Sequence, residues 1–388
     1  MIRSTRDGRA PLFGSMFLGG FECSCHLRRD GTRRDLAAST RHLELVDGDY
    51  ARLAAVGSRA ARDGVSWVRA ARSGDGYDFS FAKPMVRAAE RHRIQVIWDL
   101  MHFGWPHDVD PFAPSFASRF ARYARAFVEW LGSETDSTPM LAPVNEMSFL
   151  AWAGGDVAYM NPFETGRGVE LKTQLVRATI ETIEEIRAVC PRARFLTPDP
   201  IIHVLPFPDH PDNHARARAE NASQYQAWDM LIGRAWPSLG GDPKYLDVLG
   251  VNFYPHNQFT VDRTTVFRGG QGYKPLSAML LEVWERYRRP MIVSETGTED
   301  DERAPWLAYV ADECITAIEA GCDLHGITIY PIVSHPGWDD DRHCHNGLWD
   351  YADDKGERPV HEPLRAEMEK QRTRLEAARA RKFSANGG

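Results

Sequence analysis

Short, β-rich apolar runs alternate along this chain with longer stretches whose apolar residues recur at every third and fourth position. A period of two marks a strand and a period near 3.6 marks a helix, so the rhythm predicts repeated βα units. The runs expected as strands are residues 12–20, 64–69, 94–100, 140–145, 194–198, 248–254, 290–295 and 326–332. The helices expected between them are 49–62, 81–92, 115–131, 171–189, 219–235, 276–288 and 305–320. The third, sixth and eighth strands are nearly continuously apolar, as suits strands covered on both faces. Segments before the strands are short, such as Arg288-Arg289, whereas those after them are long and rich in Pro, Gly, His and Trp, as in 102–115, 198–214 and 333–350. The expected fold is α/β, a single eight-stranded (β/α)8 TIM barrel whose long loops form the C-terminal face, where active sites are built. It is expected to use residues 1–388 as one domain, with the barrel over about 12–361, a charged Ala-rich helix over 362–382 and a frayed tail over 383–388.

Composition narrows the function. The 388 residues are 43% hydrophobic, enough for one large core. Their 47 basic and 54 acidic residues are spread evenly, with a net charge of −7. With no basic stripe to follow a phosphate backbone, no nucleic-acid partner is expected. Met1-Ile2-Arg3-Ser4-Thr5-Arg6-Asp7 lacks a signal-peptide core, and no apolar run approaches the roughly 20 residues of a bilayer span. The expectation is a cytoplasmic protein with no membrane partner, its six cysteines reduced and its oligomeric state unreadable. Cys23-Ser24-Cys25 lacks the two-residue spacer of the usual metal and redox motifs, and small buried thiols are the simpler expectation.

Two glutamates stand at strand ends. Asn145-Glu146 closes the fourth apolar run and Ser294-Glu295-Thr296-Gly297 the seventh, so both are expected on one rim of the barrel. Cleaving a glycosidic bond takes one protonated and one ionised carboxyl group. Glu146 suits the acid and Glu295 the nucleophile, with Arg69, Tyr254 or Asn145 available to decide which stays charged.

These segments together resemble the clan A barrel glycosidases, most nearly the family 1 glycoside hydrolases of β-glucosidase type. The family's Thr-x-Asn-Glu-Pro is similar to Pro143-Val144-Asn145-Glu146-Met147, and its Thr-Glu-Asn-Gly to Ser294-Glu295-Thr296-Gly297. Its Leu-x-His-Trp is similar to Leu100-Met101-His102-Phe103, and its Asn-Tyr-Tyr to Asn252-Phe253-Tyr254. The resemblance implies that Glu146 is the acid/base and Glu295 the nucleophile. It also implies that His102 holds a sugar hydroxyl and that Tyr254 hydrogen-bonds the nucleophile. Ser66-Trp67-Val68-Arg69 matches the family's Ser-Trp-x-Arg, which makes Arg69 the candidate arginine.

The resemblance spans about residues 17–350 and thins at the sugar-reading positions. Along the family's Trp-Ser-x-x-Asp-Asn-x-Glu-Trp, Tyr330 replaces the first tryptophan, Gly337 the glutamate, and Trp338 is kept. Near the N-terminus a glutamine ligand is replaced by His26, or in function by Glu22. Trp105, Trp152 and Trp338 suit either sugar stacking or core packing.

The expected activity is a retaining β-glycosidase acting on a non-standard or modified glycone, with His26 and His335 hinting at an anionic one. A glycoside or oligosaccharide is the expected partner, and no cofactor is expected. A transglycosidase with the same glutamate pair and a non-catalytic carbohydrate-binding barrel remain open. The loop Asp339-Asp340-Asp341-Arg342-His343-Cys344-His345 carries metal-ligand types, but it follows the last strand, where a barrel metallohydrolase would want them after the first; no metal is expected.

Overall fold

The computed structural model describes residues 11–73, 76–207 and 210–385. Eight parallel strands close into a barrel: β1 (Phe17–Gly20), β2 (Ala60–Gly64), β3 (Gln95–Asp99), β4 (Met140–Ala142), β5 (Arg194–Pro200), β6 (Val248–Asn252), β7 (Met291–Thr296) and β8 (Leu324–Ile329). Strand β1 closes the ring by pairing with β8 through Phe17↔Ile327 and with β2 through Gly19↔Ala61. Helices α1 (His42–Ala55), α2 (Lys83–His92), α3 (Phe116–Glu134), α4 (Gly168–Val189), α5 (Gln226–Leu231), α6 (Leu276–Tyr287) and α7 (Arg303–Glu319) follow the first seven strands in turn. The chain is a (β/α)8 barrel.

The last helix, α8 (Glu362–Ala385), runs beyond the expected end at residue 382; residues 386–388 of the expected tail, like Met1–Asp7, lie outside the described residues. Although charged overall, α8 buries Leu364, Met368, Gln371, Leu375 and Ala378, spaced by four and three along one face. Its Glu376 Oε1 accepts from the Met16 N–H at 2.9 Å, which ties it to the entry of β1.

The second strand and the helix before it are displaced from their expected places. The second strand is Ala60–Gly64 where 64–69 was expected, and α1 is His42–Ala55 where 49–62 was expected. Arg62 and Asp63 break the apolar run, so the segment reads as the polar end of a helix. The apolar Trp67 instead lies in a short helix, Trp67–Ala70, whose N-cap Ser66 accepts from the Arg69 N–H.

Strand periodicity explains where the site sits. Leu18, Ala60, Ile97, Met140, Ala142, Leu196, Val248 and Ile292 cluster with Phe13 as an apolar layer. Stepping by twos from these positions brings Arg62, Asp99, Asn252 and Ser294 to the same inner side, nearer the C-terminal ends. The barrel is thus apolar in one layer and polar in the next.

Candidate active site

Glu146 and Glu295 reach this polar layer by different local devices. Glu146 follows β4 in the left-handed region, at φ 47°, and its N–H donates to the Pro198 carbonyl at 3.0 Å. A non-glycine residue held there is strained, and such strain gathers where a side chain must be aimed. Next to it, Ser148 donates its N–H and hydroxyl to Asp199, at 3.0 and 2.7 Å, fixing the short helix that begins at Met147. In β7 the register against β6 slips between Val293 and Glu295, a bulge that lets Ser294 and Glu295 engage the interior in succession. Ser294 Oγ donates to Asn252 Oδ1 at 2.6 Å, while Glu295 meets Arg62.

The two carboxyls lie in contrasting surroundings. Glu295 Oε1 accepts from Arg62 at 2.5 Å and Oε2 from the Tyr254 hydroxyl at 2.9 Å. Glu146 makes no ion pair among the described residues: its Oε1 accepts from Asn252 Nδ2 at 2.7 Å. Ser294 donates to the Asn252 oxygen, which leaves the amide nitrogen to face Glu146. Burial pushes the Glu146 carboxyl well above the usual carboxylate range, and the Glu295 charge pushes it further, against the Asn252 hydrogen bond. With Oε1 accepting, the Glu146 proton belongs on Oε2. Burial, then the Glu295 charge, likewise holds the Tyr254 phenol well above its ordinary value, so it stays a donor.

Arg62 organises the rest. Fully buried, it bonds Asp99 Oδ1 through Nε at 3.0 Å, Glu295 through one terminal nitrogen and Asn145 Oδ1 through the other at 2.6 Å. That last bond orients the Asn145 amide, whose Nδ2 faces His102 Nε2 at 3.0 Å. Nε2 therefore accepts, and the ring proton lies on Nδ1, 3.2 Å from Asp99 Oδ2. Burial opposes charging His102, yet Glu22 and then Asp99 outweigh it and draw its pKa above the ordinary value. A second proton would nevertheless set N–H against N–H at Asn145, so the hydrogen bonds favour the neutral ring.

The fold brings together most of the residues singled out from sequence. Glu22 is buried, with Oε1 accepting from the Ser24 N–H at 2.8 Å and lying 3.7 Å from His102 Nε2. Tyr330 stacks on His102 at 5.9 Å and packs so closely on Gly20 that no Cβ fits there. Trp338 meets His26 at 5.9 Å and Phe103 at 5.4 Å, and its carbonyl faces His26 Nε2 at 3.2 Å. Arg69 is not with them. Half-exposed on the short helix after β2, it pairs with Asp35, and the interior arginine against Glu295 is Arg62. Arg62, Asp99, Ser294 and the amide of Asn252 were missed as site residues. The available signal was a charged pair, Arg62-Asp63, one turn before an apolar Val-Ser-Trp segment, which a barrel interior tolerates and a helix end mimics.

Cys23, Asp99 and His102 are the group, among the described residues, whose ligand atoms lie close enough to share a metal ion, all within 4.8 Å. Asp99 is already engaged by the Arg62 guanidinium, which would repel a second cation. In the loop after β8, His345 bonds Asp350 and His343 stacks on Tyr351.

No family model and no curated protein matches this sequence. Solved structures resemble it in fold. A β-glucosidase from Thermotoga maritima in complex with castanospermine superposes with a TM-score of 0.75 at 16% identity, covering 93% of this chain and 98% of that one. The same enzyme in complex with noeuromycin gives 0.73 at 16%, covering 95% and 98%. The AHE enzyme from Alicyclobacillus herbarius gives 0.72 at 17%, covering 87% and 88%. At these identities the likeness establishes the barrel fold. No described helix is long and apolar enough to cross a membrane.

Proposed function

We propose that the chain is a retaining β-glycosidase, in which Glu295 attacks the anomeric carbon and Glu146 protonates the departing oxygen. The observation that carries this reading is the pair of buried carboxyls in opposite surroundings, one bonded to a guanidinium and a phenol, the other bonded to a neutral amide and kept protonated by burial. Their division of labour is what glycoside cleavage requires. The likeness in fold to β-glucosidases points the same way.

In the first step the bond from Glu295 to the anomeric carbon forms as the glycosidic C–O bond breaks, and the Glu146 proton passes to the leaving oxygen. In the second, Glu146, now ionised, takes a proton from water. The water oxygen displaces Glu295, restoring both carboxyls. Arg62 and Tyr254 hold the Glu295 carboxyl in place before attack. Tyr254 moves off as the ester forms, since an ester oxygen is a weaker acceptor. Asn252 keeps Glu146 Oε1 occupied, so that Oε2 presents the proton. Aromatic rings at Tyr330 and Trp338 suit the C–H faces of a sugar.

The test is turnover of a panel of aryl β-glycosides by wild type and by Glu295→Gln. The variant is expected to fold and to lose activity by 10³-fold or more, whereas near-normal turnover by the variant would remove Glu295 from the chemistry.

A further inference from the structure

The acceptor end of the site carries more negative charge than its cations balance. Glu22, Asp99 and Glu295 share one guanidinium, that of Arg62, which touches Asp99 and Glu295 but not Glu22. No arginine or lysine lies within ion-pair distance of Glu22 among the described residues; its nearest ring nitrogen is His102 Nε2, at 3.7 Å. That nitrogen accepts from Asn145 and has no proton to give.

His335 has its ring engaged by its neighbours in the same way. Its own N–H lies 3.4 Å from Asn346 Oδ1, which turns the amide nitrogen towards His335 Nε2 at 3.3 Å, while Nδ1 meets the Pro336 carbonyl at 2.8 Å. Each ring spends its one N–H elsewhere.

His26, the third histidine of this corner, is 2% exposed. Its Nε2 faces the Trp338 carbonyl, so Nε2 holds the proton and Nδ1 is a lone-pair acceptor. That Nδ1 is buried without a hydrogen-bond partner. Burial, resisted by Glu22, holds this histidine below its ordinary value, which keeps the ring neutral. A buried carboxylate with no arginine or lysine beside it and a buried acceptor without a donor are both costly. They share one remedy, a ligand group rich in donors and positively charged.

We infer that Glu22 and His26 form a recognition site for a protonated amine on the glycone, so that the substrate class is an amino sugar. This rests on the glycosidase reading above. An ammonium offers three donors and a full charge, enough for a carboxylate and a lone-pair acceptor both, where a hydroxyl offers one donor and no charge. A carboxylate-bearing glycone would add a like charge beside Glu22, so the anionic sugar suggested by the histidines alone is disfavoured.

The inference is tested with aryl β-glucosides carrying an amino group in place of one hydroxyl at each ring position, their N-acetyl forms, the neutral parent and the uronide. Assays run at about pH 6, below the ordinary range of an α-amino group. Binding of the corresponding free sugars is measured by calorimetry on the same protein. Wild type is expected to favour at least one amino glycoside over the parent by tenfold or more in kcat/KM, and acetylation is expected to erase that preference. Glu22→Gln is expected to lower the amine-to-parent ratio at least tenfold. Wild type turning over the parent as well as every amino form would overturn the inference and leave the glycosidase reading intact. Tight, Glu22-dependent binding of an amino sugar without turnover would keep the inference and sink the glycosidase reading. Neither binding nor turnover of any amino sugar would overturn the inference, whether or not Glu22→Gln folds.

Discussion

Arg62 bonds side chains from three other segments of the barrel: Asp99 on β3, Asn145 beyond β4 and Glu295 on β7. A planar guanidinium can bridge them at once, whereas an ammonium is a point charge that would satisfy fewer. Arg62→Lys is therefore expected to keep the buried charge, preserve most of the fold and lower kcat on aryl glycosides by about 100-fold, a loss of about 2.7 kcal/mol in transition-state stabilisation. Steady-state kinetics alongside a thermal melt checks this, and an unchanged kcat would remove Arg62 from the support of Glu295. The glutamates, Asn145, His102 and Tyr254 were legible in sequence because each ends an apolar run and matches a short motif. Arg62 was not, because an arginine inside a barrel looks the same in one dimension as an arginine on a helix surface. Only the oxygens opposite it, far apart along the chain, distinguish the two.

At the scale of elements, strand β2 carries a second buried network on the residue after Arg62. Asp63 accepts from Tyr50 at 2.8 Å and meets His42 Nε2 at 2.9 Å; His42 Nδ1 meets Asp49 at 2.8 Å, and Asp49 is bonded by Arg358 at 2.7 Å. This ties helix α1 and the segment before α8 to the strand that presents Arg62. Burial opposes charging His42, but Asp63 and Asp49 outweigh it and push its pKa up to about 9. A histidine raised in the folded state adds stability that is complete below its unfolded value near 6.5 and is lost as pH rises through about 9. The expected loss across that window is about 3 kcal/mol, as an order of magnitude. Urea denaturation of wild type at pH 6 and pH 9.5 should show it, and His42→Gln should flatten the difference. An equal pH dependence in the variant would mean that His42 is not its source. The same network explains why β2 was hard to place: its polar residues are satisfied by partners the periodic pattern does not reveal. The other strands were found because each carries a short apolar run, although the bulge that turns Glu295 inward left no mark in the residue pattern.

For the whole molecule, the βα rhythm and the long segments after the strands were enough to foresee a barrel with its long loops on the C-terminal face. The helix α8 was foreseen as charged, and its buried face emerged only against α7 and the entry of β1. The central claim is that Glu295 forms a covalent bond to the sugar while Glu146 manages the proton. The most direct measurement is turnover of an activated aryl β-glycoside by Glu146→Ala in the presence of azide, with the product's anomeric configuration read by NMR. Removing the acid/base should slow release of the glycosyl-enzyme, and azide, needing no proton removed, should restore turnover and yield a β-glycosyl azide. An α-glycosyl azide, or turnover by Glu146→Ala that equals wild type and ignores azide, would contradict the account.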